Sequence, residues 1–294
     1  MINFRYHVVS IIGIFIALAV GVVLGAGPLQ RSINAGMNPS SSQAASDPVL
    51  SAQAEAEAAG LKALASSTLT GSLTGTSVAL VVLPGASDDD VSAIRSTLTD
   101  AGASVVGRVT LTDNWQSTSM SQYRTTLATT LASHLQSGGA KTASADGVVG
   151  YSIVQVLTST GAETDLLRQI LTDKSTPLMT IDEDPAGKAT TLVAVGARAQ
   201  TTTSTQASAA ASSDAWIGLG LAVGSTSGVV VGDASSREAM ISQIRTSGTA
   251  VTTVDSVGTT LASVDTALAL STASSGARAF GVGNGAQSVI PSSK

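Results

Sequence analysis

Two carboxylate runs, Asp88-Asp89-Asp90 and Asp182-Glu183-Asp184, are the densest titratable clusters in the sequence. Residues of this type suit hard-cation binding or acid–base work. Both runs border turns, since Ser87 precedes the first and Pro185 follows the second, so a helix amino terminus and a solvated turn are their expected settings. Soft-metal chemistry has fewer candidates. Cu(I) prefers thiolate and thioether sulfur, with imidazole also usable. There is no Cys, and Met37, Met120, Met179 and Met240 are scattered without a Met-x-x-Met pair. Core packing is expected for Met179 and Met240. His7 lies at the edge of an apolar run, and His134 closes a helical pattern just before Gly138-Gly139, where the helix dipole alone favours it. No metal ligand set and no cofactor site is identified. Nucleophilic catalysis lacks its parts too: there is no Gly-x-Ser-x-Gly elbow, and one histidine beyond the amino-terminal region cannot supply base and orienter. No strand is followed by Gly-x-Gly-x-x-Gly or by a phosphate loop ending in Lys, and Gly281, Gly283 and Gly285 have no helix after them, so they are expected to form a turn. The expectation is a chain with no catalytic residues.

The elements that would carry these residues are readable from apolar runs. Val78 to Leu83 is unbroken and apolar, as in a parallel strand covered on both faces. Ser87 with Asp90 resembles a capping box, Val91, Ile94 and Leu98 repeat at helical spacing, and Gly102 stops the helix before a strand at Ser104. The same grammar returns at Val229 to Val231, Ser235 with Glu238, Met240, Ile241 and Ile244, Gly248, and the strand Ala250 to Val254. Between them fall helices around Leu127 and Leu167 and strands at Leu178 to Ile181 and Thr191 to Val195. Such alternation predicts an α/β class: an open, Rossmann-like or flavodoxin-like, mainly parallel sheet with right-handed connections. The predicted domains are an anchor at 1–30, a partly helical stalk or linker at 31–76, and the α/β domain at 77–294.

The anchor is the uncharged run from Val8 to Leu29, flanked by Arg5 and Arg31. About 22 residues rising ~1.5 Å each cover the ~30 Å of a bilayer's hydrocarbon core. A cleaved signal peptide would have a shorter apolar region, and Pro28 follows the best small-residue site, Gly25-Ala26-Gly27. A single-pass topology in the plasma membrane is expected, with the short amino terminus cytoplasmic and the carboxyl-terminal domain outside. The stretch Ala215 to Gly232 reads instead as a helix end, a turn and a strand, because Ser225, Thr226 and Ser227 interrupt it. Gly13, Ala17, Gly21 and Gly25 form a small-residue ridge along the span. Close helix packing into a homo-oligomer explains that ridge, and so does the general abundance of small residues in spanning helices. Between Val49 and Leu69 a stalk helix is expected, a second candidate surface for self-association through a weak coiled coil at Leu61 and Leu64. The formal net charge of −5, with 15 basic and 20 acidic residues and no basic cluster, excludes a nucleic-acid partner.

The opening Met1-Ile-Asn-Phe-Arg-Tyr-His-Val-Val-Ser, with Ala17-Leu-Ala-Val-Gly-Val-Val-Leu-Gly25, resembles the actinobacterial copper transporter family typified by mycobacterial MctB. The segment Phe280-Gly-Val-Gly-Asn-Gly-Ala-Gln-Ser-Val-Ile-Pro291 resembles that family's ending. The resemblance implies a membrane-anchored protein of the cell envelope, in the plasma membrane or an outer envelope layer. It also implies a role in copper efflux or homeostasis, with copper as the transported or sensed species, and it transfers no catalytic residues. The stalk departs from the family in being Ala/Ser/Thr-rich. One span cannot enclose an aqueous path, so transport would require an oligomer or a partner. The competing reading is an extracytoplasmic scaffold that recruits or regulates cell-wall or cell-division machinery.

Overall fold

The computed structural model describes residues 48–199, 210–272 and 276–291. The chain divides into two units, residues 1–55 and 56–294. Of the first, the described part is the start of helix α1 (Pro48–Leu69). The anchor over 1–30, its ridge at Gly13, Ala17, Gly21 and Gly25, the linker to residue 47, and His7 and Met37 lie outside the described residues. Among the described residues, no helix is long and apolar enough to cross a membrane.

The second unit is built on a seven-stranded sheet in the order β3-β2-β1-β4-β5-β6-β7. These strands are β1 (Ser77–Val82), β2 (Ser104–Leu111), β3 (Met179–Glu183), β4 (Thr191–Val195), β5 (Val229–Val231), β6 (Thr252–Val254) and β7 (Ala279–Phe280). Only β3 is antiparallel to its neighbour; the other adjacent pairs are parallel. In the middle of the sheet Leu80 of β1 stands between Arg108 of β2 and Val193 of β4. Residues 78–82 and all of β4 and β5 are buried, as unbroken apolar strands must be when helices cover both faces.

One face carries α1 from its middle onward, α2 (Asp88–Asp100) and α10 (Thr260–Ser271), packed around Leu69, Ile94, Leu98, Val193, Val231 and Val264. The other carries α4 (Ser121–His134), α6 (Ala145–Thr158), α7 (Ala162–Leu171), α8 (Ser213–Gly224) and α9 (Met240–Thr246), together with the single turns α3 (Asp113–Gln116) and α5 (Gly138–Lys141). Moving from β1 to β2 the chain uses α2 on the first face. Moving the opposite way, from β4 to β5 and on to β6, it uses α8 and α9 on the second face, which preserves the hand. The step from β6 to β7 continues in that direction but passes through α10 on the first face. This connection therefore has the opposite hand to the other three, and the strong preference for right-handed crossovers makes it left-handed. The physical gain is coverage: α10 packs on β5 and β6, where Val229, Val231 and Val254 would otherwise face water.

Two expected caps are not formed. Ser87 precedes α2 but makes no side-chain cap, and Asp90 reaches a distant arginine instead of its own helix end. Ser235 bonds Asp233 in a loop, and α9 starts only at Met240. The helices α6 and α10, which the residue pattern did not mark, are buried nearly all round and so lack the polar face on which periodicity depends.

Glycine sets the distance between α6 and α8. A Cβ on Gly150 would stand 2.6 Å from the carbonyl oxygen of Gly218, and one on Gly218 would stand 2.5 Å from that of Asp146. The two backbones thus touch, which offsets the ~1 kcal/mol propensity cost of a helical glycine. The variant G150L is expected to lose at least about 1–3 kcal/mol of stability, the cost of overpacking against rigid backbone. Thermal unfolding compared with G60A, whose Cβ meets nothing within 4 Å, checks it.

Candidate functional site

In open α/β sheets ligands bind outside the carboxyl ends of the strands, above all where strand order reverses. Here that point lies between β1 and β4. An ion pair occupies it. Arg198, just beyond β4, donates from Nε to Asp90 Oδ2 at 2.8 Å and from Nη2 to Asp90 Oδ1 at 2.5 Å. Asp90 is 4% exposed. The loop before α10 presses on the same guanidinium, because any Cβ on Gly258, whose φ is +91°, would collide with Arg198.

Four more acidic residues of the two runs are also matched to arginines. Arg108 holds Asp88 at 2.6 Å and Asp182 at 3.3 Å, Arg95 holds Glu183 at 2.5 Å, and Arg168 holds Asp184 at 2.5 Å. Asp184 sits below the usual carboxylate range through the Arg168 hydrogen bond and the Ala186 backbone N–H. Neither carboxylate run forms a metal cluster, and among the described residues no group of three potential ligands does. His134 pairs through Nδ1 with Glu163 at 2.6 Å. As expected, Met179 and Met240 are buried in the core, the latter beneath Gly196 and Gly232.

A second closure lies at the ends of β5, β6 and β7. Asp255 follows β6, is 1% exposed, and is wrapped by the glycine-rich segment after β7. Its Oδ1 accepts from Val282 N at 2.8 Å and Ser256 Oγ at 2.7 Å, and its Oδ2 from Gly283 N and Arg245 Nη1, each at 2.9 Å. Arg245 extends from α9 and also donates to Thr253 Oγ1 and to the carbonyls of Phe280 and Asn284. The spacing of Gly281, Gly283 and Gly285 now has a cause. A Cβ on Gly281 would collide with the carboxylate and one on Gly283 would stand 3.1 Å from it, so the backbone approaches an internal anion as a nest approaches phosphate. Beside it opens a cleft of about 520 Å³ that includes Asp233, Ser235 and Asn284. Asp233 is itself bonded to Ser235 N and Oγ.

Burial pushes the Asp255 carboxyl up, but the donors from Ser256, Val282, Gly283 and Arg245 outweigh it and hold the group below the usual range. Asp265 of α10 has the reverse balance. It is fully buried, neither oxygen has a partner among the described residues, and desolvation, with the charge of Asp255 adding to it, pushes its carboxyl up to about 7. Another buried cation, Arg124 of α4, donates to Asp146 Oδ1 at 2.5 Å and Ser117 O at 2.7 Å, tying α4 to the start of α6. Nothing in the residue pattern distinguishes Arg124, Arg245 or Asp265 from surface charges; their burial follows from tertiary packing.

These features define a doubly wound α/β domain whose ligand-facing edge carries its own arginine–carboxylate pairs and bears no nucleotide fingerprint. The chain belongs to the family described as copper transport outer membrane protein, MctB, whose model matches residues 1–291. No curated protein matches the chain. The match confirms the resemblance carried by the opening and closing motifs, and it makes this a copper-transport-related protein of the envelope.

Breaking the buried pair with R245M leaves Asp255 charged and short of a donor, with an expected loss of about 3–5 kcal/mol in urea unfolding. G281A is expected to destabilise in the same direction. The pH dependence follows from the two carboxyls. Asp265 prefers its proton in the fold, so its contribution is full below the unfolded value near 4 and is lost as pH rises toward 7. Asp255 contributes above its unfolded value and loses that contribution as acid titrates it. D265N is expected to remove the decline between about pH 4 and 7, whose slope approaches ~1.4 kcal/mol per pH unit, when thermal unfolding is followed across that interval.

Proposed function

We propose that this protein supports copper efflux from the cell as a non-enzymatic component of the envelope, anchored by a span in residues 1–30 that places the α/β domain outside the cytoplasm. The family match over residues 1–291 supports the copper role. The geometry bears on how the domain takes part. Of the soft donors among the described residues, Met179 and Met240 lie inside the core, the His134 ring is held by Glu163, and Met120 is half-buried just before α4. Cu(I) sites need such donors converging on one point. Copper therefore passes through an assembly in which this domain is a rigid wall or docking module, with self-association through the small-residue ridge at Gly13, Ala17, Gly21 and Gly25 as the expected route to oligomers.

Deleting the gene is expected to raise intracellular copper and copper sensitivity, with rescue by the full chain and none by residues 1–30 alone. Unchanged copper content in the deletion strain would overturn the reading. The triple variant H134Q, M179L, M240L is expected to restore copper tolerance to the wild-type level, measured by growth against a copper series, because those side chains pack rather than bind.

A further inference from the structure

A cleft on the opposite rim, at the carboxyl ends of α6 and α8, differs chemically from those above. It has a volume of about 380 Å³, within the range of small-ligand sites, and no charged residue lines it. By contrast, the groove among α1, α2 and α10 contains Lys62, Asp89, Asp100 and Arg198, and the cleft beside the cradle contains Asp233 and Asp255.

Its walls combine an apolar floor with fixed hydroxyls. Leu135, Ala140 and Val154 supply the floor and Tyr151 the aromatic ring. The hydroxyls of Thr158, Ser225 and Thr226 donate to the carbonyls of Val154, Ala222 and Val223, so with its proton committed each can meet a ligand only as an acceptor. Tyr151, Ser137, Ser159 and the Gln136 amide have no side-chain partner among the described residues and remain available as donors or acceptors. The arrangement is pre-organised by Gln155, which is 7% exposed. Its Oε1 accepts from Gln136 N at 2.9 Å and its Nε2 donates to His134 O at 3.1 Å, clamping the rim to α6.

We infer that this cleft binds a neutral saccharide. A sugar ring offers several hydroxyl donors for the fixed acceptors, further oxygens for the free donors, and C–H faces for the Tyr151 ring, and it brings no charge that uncharged walls would have to desolvate. Phosphorylated and carboxylated ligands would enter without a counter-charge. The site is independent of the copper role proposed above.

The test is saturation-transfer NMR on the purified full chain, handled without glycoside detergents, with glucose, galactose, mannose, arabinose and trehalose as separate probes and glucose 6-phosphate as the charged control. At least one neutral sugar is expected to receive saturation and the control none. Y151A is expected to weaken binding about 3–10-fold, the value of one aromatic contact. Because Tyr151 also packs on the core, S159E serves as a second variant that puts a charge on the rim and is expected to weaken binding at least as much, with thermal unfolding confirming that each variant is folded. Absence of transfer to every neutral sugar, equal transfer to the phosphate, or binding unchanged in a folded S159E would overturn the assignment.

Discussion

A buried charge needs its counter-charge and its hydrogen bonds supplied by the fold, and Asp255 is where this chain meets that demand. The donors come from separate pieces of the chain: Arg245 from the helix before β6, Ser256 from the turn after it, and Val282 and Gly283 from the segment after β7. Because one guanidinium also ties down Thr253, Phe280 and Asn284, the two-residue strand β7 stays in register although it has little ladder of its own. Arg198 with Asp90 performs the corresponding closure at the centre of the sheet. At the edge where related architectures hold nucleotides, these carboxylates are thus paired by the protein's own arginines.

The rest of the structure follows from a composition of small residues. With aromatics at 3% of the chain, the core cannot fill wide gaps with rings, so its helices move inward until backbones meet at Gly147, Gly150 and Gly218. The left-handed passage through α10 answers the same need on the other face, where valines of β4, β5 and β6 require a lid.

The sheet was legible in the sequence because its central strands are buried on both sides and therefore read as unbroken apolar runs; Thr191–Val195 matches the expected strand residue for residue. Elements buried all round were not, and α6 and α10 carry no alternation to betray them. The carboxylate runs could be placed beside turns, but their partners Arg95, Arg108, Arg168 and Arg198 lie in other elements, and pairing at that separation has no signal in one sequence. The glycine triplet was legible as a turn. That the turn encloses Asp255 depends on a strand order that only the three-dimensional arrangement supplies.

The cradle also has a direction in time. Arg245 and Asp255 lie ten residues apart around β6, whereas Val282 and Gly283 come from the segment after β7, so the ion pair closes a short loop and the backbone donors that enclose the carboxylate arrive only when the later segment docks. A product cut short before Gly283 retains that exposed polar seam with β7 unsecured, and the proteases that survey unfinished chains would meet a loose edge. The turns after β7 act as a seal on a pairing that the segments before them already make.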